Sequence, residues 1–182
     1  MALLPIRKYG DPVLRAKAKP VEVFDETLAI LAEDMIETMR AAEGIGLAAP
    51  QVGKSICLIV VETGLIEEGE DPSIFVNPVI LDRYGEKICM EEGCLSVPGI
   101  TEEVTREESI KLRYQDLSGQ AFEGDCHGTL ARVIMHEVDH LLGNFFTDYL
   151  GSMKLRMLSK KLGALQFEAQ KDLIEFRKMG VA

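Results

Sequence analysis

Apolar residues recur three and four apart at Leu28, Leu31, Met35 and Met39, a spacing that predicts an amphipathic helix from about residue 25 to 42 with Asp25 as its N-cap. Before it, Pro5, Pro12 and Pro20 break residues 1–24 into an irregular arm. The β-branched run from Ile56 to Glu62 reads as a buried strand. Phe75 to Leu81 reads as a second strand, with Pro78 marking a bulge or an edge, and Lys87 to Met90 continues the sheet. Residues 63–74 between them are polar and turn-rich, the pattern of an exposed loop. Alternation from Glu108 to Tyr114 predicts a half-buried strand whose hairpin partner, 120–126, lies across a turn at 116–119. Another helix starts at 127–129, with Thr129 as its N-cap, and an amphipathic one runs from about 152 to 179 with Gly163 as a weak point. This order predicts one α+β domain over 1–182, with an antiparallel or mixed sheet packed around the penultimate helix and a C-terminal helix.

That penultimate helix carries the chemistry. Leu130, Val133, Ile134, Met135, Val138, Leu141 and Leu142 make it apolar nearly all round, which predicts burial. Burying His136, Glu137, Asp139 and His140 with them is costly unless each has a partner. His136 and His140 are four residues apart and project from one face, so both imidazoles can meet one metal ion with Glu137 beside it. The chain has only three histidines, and two fall in this pattern, which points to a metal-assisted hydrolase.

A catalytic metal of this kind takes three protein ligands. The metzincin continuation, H-E-x-x-H-x-x-G-x-x-H, fits at Gly143 and fails at Phe146. Glu168 or Glu175, in the manner of thermolysin-like enzymes, His127 and the four cysteines stay in play. Cys94 has the best local grounds: a turn that reads as exposed, Gly93 beside it for close approach, and no competing apolar role.

A second stretch, Glu43 to Gly53, has glycines at 44, 46 and 53 and small Ala48 and Ala49, a loop whose backbone can approach a ligand. A helix precedes it and a strand follows, the reverse of a dinucleotide-binding turn, which excludes that reading. Gln51 is its one polar side chain with a functional look.

Composition narrows the setting. Apolar content of 47% with 27% charged residues is ordinary for a soluble domain, and no apolar run approaches the roughly 20 residues of a membrane span. With no signal-peptide pattern a cytoplasmic location is expected, and four irregularly spaced cysteines there argue against a disulfide framework. A formal charge of −10 disfavours nucleic-acid binding over the whole molecule. The C-terminal helix is an exception, with seven Lys/Arg against three Asp/Glu between Lys154 and Lys178.

Three segments, GIGLAAPQ at 44–51, EGCLS at 92–96 and HEVDH at 136–140, resemble the three motifs of the bacterial peptide deformylases, in that order. The arm, YGDPVLR at 9–15 with Pro20, Val21, Phe24 and Asp25, extends the likeness over nearly the whole chain. The resemblance implies a metal-dependent hydrolase of protein biosynthesis and N-terminal protein processing, which removes the N-formyl group from formyl-methionyl nascent chains as formate. It implies Cys94, His136 and His140 as metal ligands, Glu137 as general acid/base, and Gln51 with the backbone N–H of Leu95 as oxyanion donors. Backbone at Ile45, Gly46 and Gly93 would pair with the peptide, and Ile45, Met90 and Val133 are candidate walls of a methionine pocket. One divalent ion is expected, Fe2+ in cells, with Zn2+, Ni2+ or Co2+ able to take the same ligands. A ferrous thiolate site would be oxygen-sensitive. Arg106 is the implied partner of Asp139, whereas Thr101 stands where some members carry a peptide-holding Arg. The same likeness makes the ribosome a candidate partner of the basic C-terminal helix.

Overall fold

Residues 2–66 and 70–180 are described by the structure, a computed structural model. Helix α1, Glu26–Ala41, begins where Asp25 accepts a hydrogen bond from the Leu28 N–H at 3.0 Å. Five strands follow, β1 (Gly46–Ala48), β2 (Leu58–Val61), β3 (Ser73–Gly93), β4 (Thr101–Gln115) and β5 (Ala121–His127). They form one sheet in chain order, antiparallel at every pairing. Helices α2, Gly128–Leu141, and α3, Ser152–Met179, complete the α+β order.

The β-branched run of β2 is buried at every position because a helix covers each face. Leu58 and Val60 pack with Leu28, Met35 and Met39 of α1. Ile59 and Val61, pointing the other way, pack with Ile134, Met135 and Val138 of α2. A third cluster joins Leu14, Val97, Val104, Phe145 and Phe146 to Leu158, Leu162 and Leu165 of α3. Phe167 of α3 is exposed, and buried Ala169 continues its packed face instead.

The strands depart from their sequence pattern in three places. The two pieces expected at 75–81 and 87–90 are one 21-residue strand, and β4 starts at Thr101 rather than 108. The polar middle of β3 reads as a break because it is a ribbon paired only to β4 and wet over most of its length, with register shifts at 76/79, 80/82 and 84/87. The first shift contains Pro78 and Asn77, whose φ is +51° and whose side chain ties the backbone of Val21 to Gln115. The glycine loop also hides a three-residue strand, β1, too short for a periodicity to register. Of the expected 63–74 loop, Thr63–Leu65 form a 3-10 turn, Ser73 opens β3, and 67–69 lie outside the described residues.

Helix α2 is buried continuously from Ala131 to Leu141. Its N-cap is His127 rather than Thr129, because the helix opens at Gly128, whose positive φ of +55° favours glycine there. At the other end Gly143 takes φ +81°, its N–H meets the His140 carbonyl, and the Asn144 N–H meets the Asp139 carbonyl, a Schellman closure. A Cβ on Gly143 would sit 2.5 Å from the Arg15 carbonyl oxygen, so the end of the helix carrying His140 seats directly on the N-terminal arm. Among the described residues no helix is long and apolar enough to cross a membrane.

Candidate metal centre

Three elements converge. Helix α2 presents His136, Glu137 and His140, the turn leaving β3 presents Cys94, and the 3-10 turn Ala49–Val52 after β1 presents Gln51. One ligand atom each from Cys94, His136 and His140 lies within 4.8 Å of the others, with Cys94 Sγ 3.2 Å from His140 Nε2. Cys94 is half-buried, not on the exposed turn its neighbours predict, because it packs at the edge of the α3 cluster.

The donor set fits a metal. One thiol and two imidazoles suit the late first-row divalent ions. His136 uses Nδ1 to meet Glu92 Oε2 at 3.0 Å, which leaves its Nε2 for a ligand. Gln51 accepts the Ala48 N–H at 2.7 Å through Oε1, so its Nε2 faces Ser96 Oγ at 3.2 Å and Cys94 Sγ at 3.5 Å. The amide is therefore held as a donor toward the thiol.

A cavity of about 330 Å³ opens on this centre, lined by Ile45, Gly46, Gln51, Met90, Gly93, Cys94, Leu95, Val133, His136 and Glu137 among others. Gly46 is needed there: a Cβ would come within 2.6 Å of Glu137 Oε1 and 2.9 Å of Val133. Glu137 Oε2 is buried without a hydrogen-bond partner among the described residues, and burial pushes its carboxyl up to about 7 in the metal-free protein. Burial also favours neutral His140, whose pKa falls well below the ordinary range. For His136 burial acts the same way, but hydrogen bonds to Cys94 and Glu92 outweigh it and raise the group.

The chain's similarity to known proteins follows this geometry. The polypeptide deformylase family model matches residues 3–156. The peptide deformylase of Acinetobacter baumannii is 43% identical over 178 residues, 98% of this chain and all of that protein. Peptide deformylase 2 of Xanthomonas campestris is 47% identical over 169 residues, 91% of this chain and 98% of that one. The crystal structure of the Thermus thermophilus peptide deformylase superposes with a TM-score of 0.84 at 45% identity, covering 92% of this chain and 99% of that chain. This chain belongs to the polypeptide deformylase family. Its members are metal-dependent hydrolases that remove the N-formyl group from nascent peptides.

The fold brings together around one cavity every site residue picked out in the sequence, and the competing ligands lie elsewhere. Glu168 pairs with Lys8 and Glu175 with Lys178. His127 bonds Ser109 at 2.8 Å on the far ribbon. Phe146, where a metzincin has its third histidine, stacks on His136 at 6.1 Å. Thr101 pairs in register with Gly93 at the end of the β3–β4 ladder.

The pairing of Arg106 with Asp139 holds at 2.8 Å, but as one edge of a larger buried network. Arg106 also forks onto Glu92 at 2.6 and 2.9 Å, Arg132 reaches Glu92 at 2.7 Å, and the Tyr149 hydroxyl donates to Asp139 at 3.0 Å. Glu92 and Arg132 were not singled out from the sequence. The available signal was that each charged side chain sits inside an otherwise apolar or motif segment, where burial demands a partner.

Proposed function

We propose that this chain hydrolyses N-formyl-methionyl peptides with one divalent metal held by Cys94, His136 and His140, Fe2+ in cells and Zn2+, Ni2+ or Co2+ as substitutes. The supporting observation is the convergence of these three donors with the partnerless Glu137 oxygen on one cavity. When bound, the metal supplies a Lewis acid that activates water and polarises the formyl oxygen. Glu137 takes the proton from the attacking water and hands it to the departing amine. Gln51 Nε2 and the Leu95 N–H stabilise the oxyanion, Ile45, Gly46 and Gly93 align the peptide backbone, and Ile45, Met90 and Val133 wall the methionine side chain. Ile45 and Met90, each over one-third exposed beside the cavity, are free to meet a ligand. The whole of 1–182 acts as one catalytic domain, and the expected setting is the cytoplasm, where formylated nascent chains arise. Assaying metal-loaded protein for formate release from formyl-Met-Ala-Ser tests this; silence with both iron and nickel loaded refutes it.

A second role concerns α3, where Lys160 and Lys161 lie exposed near Met153 and Met157, each 79% accessible. This basic, partly apolar surface suits phosphate contacts on the ribosome. Removing the helix would strip Leu158, Leu162 and Leu165 from the core, so reversal of Lys160 and Lys161 to Glu is the cleaner probe. Weakened ribosome cosedimentation is expected, and unchanged cosedimentation rejects the role.

A further inference from the structure

Arg132 lies four residues before His136 on α2, buried at 8% exposure in a helix whose neighbours are apolar. It lines the cavity at its β3 side yet carries none of the roles assigned above, and burying a guanidinium without partners is costly. Its contacts connect the two halves of the centre. One terminal nitrogen donates to Glu92 Oε1 at 2.7 Å and to the Val104 carbonyl at 3.1 Å; the other donates to the Ile88 carbonyl at 2.6 Å. Ile88 and Glu92 belong to β3, Val104 to β4, and Arg132 itself to α2.

Two consequences follow. First, the strand that ends in Cys94 is fastened to the helix that carries both histidines by a rigid planar group with several donors, which adds to the Arg106–Asp139 and Glu92–His136 contacts between the same elements and is the one that reaches β3 and β4 together. Second, Glu92 is held from two sides, by the Arg106 fork and by Arg132, with its other oxygen on His136 Nδ1. A carboxylate fixed in this way fixes the tilt of the imidazole it accepts from. Glu92 and Asp139 supply two negative charges and Arg106 and Arg132 two positive ones, so the network is balanced while all four are ionised and loses that balance if one arginine goes.

We propose that Arg132 is a positioning residue for the metal: it spans β3, β4 and α2, sets the separation of Cys94 from the two histidines, and orients His136 through Glu92. The inference rests on the Cys-His-His reading of the metal centre, and is tested on metal binding rather than on turnover.

The experiment compares the parent protein with Arg132→Met, which keeps volume but no donors, and Arg132→Lys, which keeps the charge but not the fork. Each is loaded with Co2+, its dissociation constant is measured by competition with a chromogenic chelator, and its visible spectrum is recorded. Arg132→Met is expected to bind about 10–100-fold more weakly, the range typical when a group supporting the ligands is removed. Its thiolate-to-metal and ligand-field bands should shift, and Arg132→Lys should fall between it and the parent. Should Arg132→Met fail to fold, Arg132→Lys carries the test, with weaker affinity and a shifted spectrum expected. Affinity within twofold of the parent with an unchanged spectrum, in whichever variant folds, overturns the proposal even if its melting temperature drops. A parent that binds no Co2+ refutes the metal centre itself, and the inference with it.

Discussion

Nδ1 of His136 stands 3.0 Å from Oε2 of Glu92, and this contact makes a metal-ligand candidate part of a buried ion network rather than a free imidazole. Burial alone would raise the Glu92 carboxyl, but hydrogen bonds from His136 and Arg106 outweigh it and bring it down to about 2, from an ordinary 4.5. Between those values the unfolded chain binds a proton that the folded chain does not, so stability falls as the pH is lowered through that window. The contribution lost by pH 2 is about 3 kcal/mol. Metal-free Glu92→Gln should be less stable than the parent at pH 6, and the gap should narrow progressively below pH 4.5. Chemical denaturation from pH 6 to pH 3 measures this, and a constant gap contradicts it.

Glu137 has the opposite sign. Its folded pKa of about 7 lies above the ordinary 4.5, so the metal-free protein loses stability as pH rises through that interval. Glu137→Gln removes the ionisation and should stabilise the metal-free fold at pH 8 by about 3 kcal/mol at most, while lowering kcat by at least about 100-fold. Denaturant midpoints at pH 5 and pH 8 beside formate-release rates check both halves. A variant that gains no stability at pH 8 relative to pH 5 shows that Glu137 is not held neutral by burial.

Gln51 is locked with its amide nitrogen toward the thiol, 3.5 Å from Cys94 Sγ, by the Ala48 N–H on its oxygen. Gln51→Leu keeps the bulk and removes the donor, and should lower kcat by about 100–1000-fold with little change in KM. A rise confined to KM would assign Gln51 to peptide binding instead.

Much of this was legible in the sequence, where a single local pattern was enough. Asp25 and the 3.6-residue spacing of Leu28, Met35 and Met39 specify α1, and the burial of HEVDH follows from the apolar residues around it. The long ribbon was not, because Asp82 to Tyr84 are paired yet solvated and Gly85 and Glu86 fall in a register shift, and solvated pairing with a bulge leaves the same trace as a turn. Cys94 shows the same limit from the other side: Gly93 and Pro98 suggest exposure, but it packs against a cluster built from residues far along the chain, among them Leu14, Phe145 and Phe146. Arg132 and Glu92 acquire meaning only when β3, β4 and α2 are brought together, since residues 40 apart carry no mutual periodicity.

The most direct measurement is the metal content of anaerobically purified parent and Cys94→Ala, taken beside formate release from a formyl-Met peptide. The parent should carry one equivalent of divalent metal per chain and release formate, and Cys94→Ala should lose both. Cys94→Ala retaining a full equivalent of metal and its turnover would contradict the Cys94, His136 and His140 centre.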